Sequence, residues 1–240
     1  MLKVEGLVVE YPDHTRAVDG ICFSISAGEN VALVGANGAG KTTLLLALVG
    51  ILESAGSIKA DGIALNRQTL ARIRGRVGLV FQNPDDQLFM PRIYDDIAFG
   101  PRNSGADEAE AEYRVNESLS ALHIEHLKER SPLKLSGGEK RAAAIATVLA
   151  MRPAIMLFDE PTAFLDPRAR RSLIDLMHTL PHTKLIATHD LRFAAETCAR
   201  TIALKNGKIA ADGETGALLS DARLMDECRL ESIPQACQIP

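Results

Sequence analysis

The 240 residues carry 46% hydrophobic and 24% charged side chains, ordinary proportions for a globular chain that closes a core without disulfides or structural metal, which excludes a disordered segment, a fibre and a cysteine-stapled miniprotein. Lys and Arg number 27 against 31 Asp and Glu, a formal net charge of −4, so nothing draws the whole chain toward a polyanion and any such ligand must be held locally. The most apolar run, Leu44 to Leu52, falls well short of the roughly 18 residues that a membrane span requires, which excludes a channel or a permease.

In chain order, Leu2 to Val9 and the alternating Ile21-Cys22-Phe23-Ser24-Ile25-Ser26 read as half-buried strands. Asp61-Gly62, between Ser57–Ala60 and Ile63–Leu65, has the composition of a tight hairpin turn. Val31–Val34, Val77–Phe81, Ala154–Phe158 and Lys184–Thr188 are apolar without alternation, as in parallel strands covered on both faces. Helical patterns fall between them at Thr42–Leu52, Ala106–His123, Gly137–Met151 and Pro167–Leu180. The stretch Gly100-Pro101-Arg102-Asn103-Ser104-Gly105 reads as a loop ahead of a charge-rich helical segment reaching Lys134. Asn206-Gly207 marks a late hairpin, and a short helical tail ends in Pro-containing, frayed residues. The expected fold class is α/β: a mixed-sheet core with an N-terminal antiparallel β subdomain, one domain over 1–240, a helical subdomain at about 84–150 inserted in the core, and a C-terminal tail at about 222–240.

Lys3 and Glu5 place charge where a secretion signal needs an apolar stretch, which sets the expectation of a cytosolic location. Cys22, Cys198, Cys228 and Cys237 form no C-x-x-C pair and read as reduced, structural residues. The clusters Arg72/Arg74/Arg76 and Arg168/Arg170/Arg171 read as solvated helix faces rather than a nucleic-acid track.

Gly35-Ala36-Asn37-Gly38-Ala39-Gly40-Lys41-Thr42 fits G-x-x-x-x-G-K-[ST] between a buried-type strand and a helix. Glycines let consecutive N–H groups curl around phosphate oxygens, the positive helix end faces them, Lys41 adds a full charge, and Thr42 can ligate Mg²⁺. This is a nucleoside triphosphate site. Ile155 to Asp159-Glu160-Pro161 is an apolar strand that delivers two acids at its end. Alone they could be a solvated strand end; beside a phosphate loop, the first can hold Mg²⁺ and the second can activate a water. Ser136 and Glu139 have the spacing of a capping box, and Gly137-Gly138, poor helix formers, either serve that cap or expose backbone donors to a second anion.

Together, Gly35–Thr42, Leu135–Glu139, Asp159-Glu160, Gln82 after one strand and His189 after another resemble the ATP-binding cassette (ABC) ATPases over residues 2 to about 215. That resemblance implies a P-loop NTPase fold, ATP and Mg²⁺ as ligands, and two cassettes packed head to tail, as a homodimer or with a paralogous subunit. It further implies that the backbone of Gly35 to Gly40, with Lys41, Thr42 and Thr43, holds the phosphates, while Thr42, Gln82 and Asp159 serve Mg²⁺, partly through water, and Gln82 also contacts the attacking water. Glu160 would be the general base, His189 would hold the γ-phosphate, and Tyr11 would stack on adenine. Ser136, Gly137, Gly138 and Asp166 would work across the interface. Taken singly, Gln82 reads equally as a surface amide, His189 as a strand-end polar residue and Tyr11 as a packed aromatic.

Phe81 to Phe89 and Asp95 to Pro101 are similar to the corresponding stretches of energy-coupling-factor importers, whose helical subdomain docks on an integral membrane subunit beside a substrate-specific membrane component. Glu139-Lys140-Arg141 and Ala187 to Leu191 resemble the cobalt/nickel branch more than the vitamin branch. The signature carries Glu139 where many relatives have Gln, and the chain stops soon after residue 230 without the longer extension of many relatives. The resemblance thus implies a peripheral ATPase on the cytoplasmic membrane face that powers cobalt or nickel uptake, with no nucleic-acid partner and the ion bound elsewhere, no His/Cys cluster being available here. The alternatives are an importer ATPase for a vitamin and a soluble ABC ATPase, for example in iron–sulfur cluster assembly. A chromosome-organising relative would need a long coiled coil between Lys41 and Asp159, and a small-molecule kinase would leave Ser136–Glu139 without a purpose beyond capping.

Overall fold

The computed structural model describes residues 1–233. In chain order it contains β1 (Leu2–Glu10), β2 (Arg16–Ile25), β3 (Asn30–Val34), α1 (Lys41–Leu48), β4 (Ala55–Ala60), β5 (Ile63–Ala64), α2 (Leu70–Arg76), β6 (Val77–Val80), α3 (Ile93–Asn103), α4 (Glu108–Ala121), α5 (Gly137–Leu149), β7 (Ile155–Asp159), α6 (Pro167–Thr179), β8 (Thr183–Thr188), α7 (Leu191–Thr197), β9 (Arg200–Lys205), β10 (Lys208–Glu214), α8 (Thr215–Ser220) and α9 (Ala222–Glu227).

The non-alternating strands build a six-stranded sheet in the order β10-β9-β3-β8-β7-β6. It is parallel except for β10, which returns antiparallel to β9. Apolar side chains on both faces explain the unbroken runs. Val31 and Leu33 of β3 join one core with α1 and the second sheet; Ala32 and Val34 join the other, with α5, α6 and α7. The alternating strands form a separate antiparallel sheet, β2-β1-β4-β5, whose buried face closes over α1. A third, smaller core gathers α3, α4 and α5 around Ile93, Ile97, Val115, Leu119 and Ala143.

Both hairpin signals are real turns. Asp61 and Gly62 have φ of 49° and 79°, Asn206 and Gly207 of 49° and 75°, the double left-handed geometry that matches strand twist. Cys22, Cys198 and Cys228 are free, and burial pushes the Cys198 thiol up to about 12, which keeps it out of the reactive thiolate form. Of the expected tail at 222–240, the residues beyond 233, including Cys237 and the prolines, lie outside the described residues.

Two expectations change. Gly100 to Asn103 are not loop but the last turn of α3. Pro101 is tolerated there because it lies on the same face as Ile93 and Ile97, all three buried, and that packing outweighs the lost backbone bond near the helix end. The loop begins only at Ser104 and Gly105, whose φ is +87°. The arginine clusters are not simply solvated either. Arg74 donates to the Val49 and Gly50 carbonyls at the end of α1, Arg76 pairs with Asp61, and Arg170 bridges Asp190 and Glu196, which Arg171 also meets. They brace helices against neighbouring elements.

Helix α5 lies so close to β6 that a Cβ on Gly78 would stand 2.3 Å from Val148 Cγ1. Val148 is stiff at χ1 and cannot swing away. Gly78→Ala should therefore lower stability by about 1–3 kcal/mol, the usual range for overpacking, read as a shift in denaturation midpoint; an unchanged midpoint would show that the α5–β6 contact yields freely.

Candidate functional site

The site grows from the C-terminal edge of the parallel sheet. Val34 pairs with Thr188 and Asp159 with Ala187, so the segments that leave β3, β7 and β8 emerge side by side. Gly35 begins the turn out of β3, where a Cβ would meet Leu204 O at 2.6 Å. Gly40 closes it at φ +103°, where a Cβ would meet Ala17 O at 2.2 Å. These glycines are dictated by close backbone approach as well as by any phosphate. The loop is clamped from behind by the Gly207 amide on Ala39 O at 3.1 Å.

Lys41, the first residue of α1, is buried. Its ammonium donates to Gly35 O at 2.7 Å and Ala36 O at 3.3 Å and lies 3.3 Å from Glu160 Oε1. The lysine is thus held by its own loop. Thr43, two residues further along α1, meets the Tyr11 hydroxyl at 3.0 Å, so the aromatic just after β1 is anchored against the start of α1.

Glu160 has φ +43°, a left-handed conformation uncommon outside glycine, fixed by its amide on Ala187 O. That turn swings the side chain back under the loop. Its Oε2 accepts the His189 amide at 3.2 Å and faces His189 Nδ1 at 2.8 Å, while Oε1 faces Lys41. One buried carboxylate therefore joins the ends of β7 and β8 to the phosphate loop. Asp159, just before it, is also buried, and its Oδ1 has no hydrogen-bond partner among the described residues. Burial pushes the Asp159 carboxyl up from the ordinary range, with Thr42 pulling against it and Glu160 adding to it. An orphaned buried carboxylate oxygen next to a threonine hydroxyl is a hard-oxygen donor set, which fits Mg²⁺.

Gln82 follows β6 with an exposed side chain. Its carbonyl, with that of Phe81, is taken by Arg141 of α5, at 2.6 Å and 2.7 Å. Arg141 is fully buried, and desolvation pulls its guanidinium down to about 10, against the pull of Asp159, so it stays protonated at neutral pH. Sequence reasoning gave Arg141 no role in the site; the available signal was a charged residue on the otherwise apolar face shared by Ile145 and Val148.

Ser136 caps α5 in a full capping box. Glu139 Oε2 accepts both the Ser136 amide and hydroxyl, at 2.8 Å and 2.7 Å, and the Glu139 amide returns to Ser136 Oγ. These bonds hold the Glu139 carboxyl below its usual range. The two glycines have a packing reason too: a Cβ on Gly137 would touch Phe164 O and one on Gly138 would crowd Ala169. Ser136 and Gly137 are exposed, and among the described residues no hydrogen bond joins Ser136–Gly138 to the phosphate loop of the same chain. Asp166, exposed, caps α6 by accepting the Ala169 amide at 2.8 Å. A cavity of about 500 Å³ opens beside Ala36, Asn37 and His189, with Arg229 to Ile233 as its far wall.

Among the described residues no three His, Cys, Asp or Glu side chains gather into a further metal cluster, and no helix is long and apolar enough to cross a membrane.

Because the Asp159 pKa is raised on folding, the native state binds this proton more tightly than the unfolded chain, and stability is lost as pH climbs from the ordinary carboxylate range through the raised value. Asp159→Asn removes that penalty. In nucleotide-free protein the variant should melt above the wild type at pH 7.5, with a smaller gap at pH 5; a variant that melts lower at pH 7.5 would show that the buried charge is already fully compensated.

A family model described as ABC transporter matches residues 18–163. An ABC transporter ATP-binding protein of Geobacter sulfurreducens is 50% identical over 96% of this chain and 93% of its own length. The energy-coupling factor transporter ATP-binding protein EcfA of Carboxydothermus hydrogenoformans is 41% identical over 96% of this chain and 87% of its own. Among solved structures, cbiO1 of Clostridium perfringens, described as part of the ABC transporter complex cbiONQ, superposes with a TM-score of 0.83 at 36% identity, covering 94% of this chain and 93% of that one. The cassette MJ0796, in a dimeric post-hydrolysis state with ADP and phosphate, superposes with a TM-score of 0.79 at 26% identity, covering 90% and 99%.

Proposed function

Since the chain belongs to the ABC transporter family and is one of its ATP-hydrolysing cassettes, we propose that it energises an energy-coupling-factor type importer from the cytoplasmic face of a membrane. The observation that carries the importer reading is an aromatic pair. Phe89 and Phe99 meet edge to face at 5.2 Å and remain 62% and 41% exposed on the α3–α5 cluster, just downstream of Gln82. Such a surface fits an apolar helix of a membrane subunit. The likeness to EcfA supports the same reading. The resemblance of Glu139-Lys140-Arg141 and Ala187 to Leu191 to the cobalt/nickel branch favours one of those ions as the cargo, over a vitamin.

In this reading the triphosphate lies along Gly35–Thr43 with adenine against Tyr11, and Lys41 exchanges the Gly35 and Ala36 carbonyls for phosphate oxygens. Thr42, Asp159 and Gln82 would hold Mg²⁺, which would supply positive charge to offset that of the triphosphate. Glu160 takes a proton from the water that attacks the γ-phosphorus as the bond to the bridging oxygen breaks, and His189 holds the γ-phosphate in line. Ser136, Gly137, Gly138 and Asp166 serve the nucleotide of a second cassette, identical or paralogous, since among the described residues no hydrogen bond joins them to their own phosphate loop.

Glu160→Gln should keep ATP binding and lower turnover on the order of 10²–10³-fold, the usual worth of a general base, measured as steady-state phosphate release; hydrolysis at the wild-type rate would remove Glu160 from that role. Full-length tagged chain extracted from membranes in mild detergent should bring an integral membrane protein with it. Phe89→Asp should lose that companion with ATP binding intact. A soluble particle without membrane partners would instead favour the non-transport reading.

A further inference from the structure

Arg141 is a fully buried cation that forms no ion pair among the described residues. Burying a charge that way is expensive, and a packed apolar side chain would suit the stability of α5 better. What the guanidinium does instead is specific. Nη1 and Nη2 each take one of two consecutive carbonyls, Phe81 O and Gln82 O, just where the chain leaves β6 and its ladder bonds end.

Other side chains repeat the link. Gln87 accepts the Phe81 amide at 3.1 Å and donates to Ala144 O at 2.8 Å and Thr147 Oγ1 at 2.6 Å, both on α5. Lys140 Nζ meets Asp85 at 2.6 Å. Residues 81–87 are thus fastened to the first three turns of α5, which Ser136 caps. The Lys140–Asp85 pair is the most exposed of these links and the weakest. Arg141 is the buried one, and it touches the backbone of Gln82 itself.

We propose that Arg141 is a positioning residue for ATP hydrolysis: by gripping the Phe81 and Gln82 carbonyls it makes Gln82 move as one body with the Ser136–Gly138 start of α5, so that closure of α5 on a second chain's nucleotide sets Gln82 over its own. The inference rests on the reading that Gln82 serves the metal and the attacking water and that Ser136 faces the partner's triphosphate.

A double-mutant cycle tests it. Arg141→Lys keeps the charge but loses the fork that spans two carbonyls. It should leave ATP affinity within about twofold and slow turnover about tenfold, since small misplacements at a reacting centre carry penalties of that size or more. Gln82→Ala should also be slow, and the double variant should be no slower than Gln82→Ala alone, because Arg141 acts only through Gln82. Amide exchange of nucleotide-free Arg141→Lys should quicken across 81–87 and stay unchanged in α6. Wild-type turnover in Arg141→Lys, multiplying penalties in the cycle, or unaltered exchange at 81–87 would each overturn the proposal while leaving the role of Gln82 standing. Wild-type turnover in Gln82→Ala would overturn both.

Discussion

The buried carboxylate of Glu160 is the constraint around which this molecule is arranged. A carboxylate sealed from water needs partners, and here each comes from a different element: Lys41 from the start of α1, the amide and ring of His189 from the end of β8. To reach them the backbone of Glu160 accepts a left-handed turn, pinned by Ala187. In the proposed function, phosphate oxygens compete with Glu160 for the Lys41 ammonium, so that taking up the triphosphate and turning Glu160 toward the attacking water are one exchange of partners.

The same logic underlies the proposal that each chain supplies half of a site. The parallel sheet, apolar on both faces, delivers the loop, the acid pair and His189 to one edge. The capped start of α5 belongs to a body that packs instead on the Phe164–Ala169 segment and on residues 81–87. An exposed serine and glycine with backbone donors, turned to no ligand of their own chain, suit a phosphate presented by another. Aromatic exposure at Phe89 and Phe99 sits on that same helical body, which in the proposed function therefore carries both the surface for a membrane subunit and the surface for a second cassette.

Much of this was legible in the sequence because single residues announce backbone geometry. Asp61-Gly62 and Asn206-Gly207 required double left-handed turns and made them, and Gly35 and Gly40 of the phosphate loop stood where backbones nearly touch. Gly100-Pro101 misled for the same reason in reverse, since a turn signature was overridden by the buried stripe Ile93, Ile97 and Pro101. Helices α2 and α7, both short, gave no periodic pattern to read. The arginine braces and the grip of Arg141 were invisible because their partners are carbonyls or acids distant in the chain, as Arg74 to Val49 and Arg141 to Phe81 show. Long-range polar pairing leaves no spacing rule in one sequence.

The central claim is that one chain holds only half of a working catalytic centre. Turnover per chain, followed across serial dilution while particle mass is measured in the same samples, tests it most directly. The account predicts that hydrolysis tracks the fraction of chains paired with a second cassette and vanishes with it. Full-rate hydrolysis by particles of single-chain mass would contradict it.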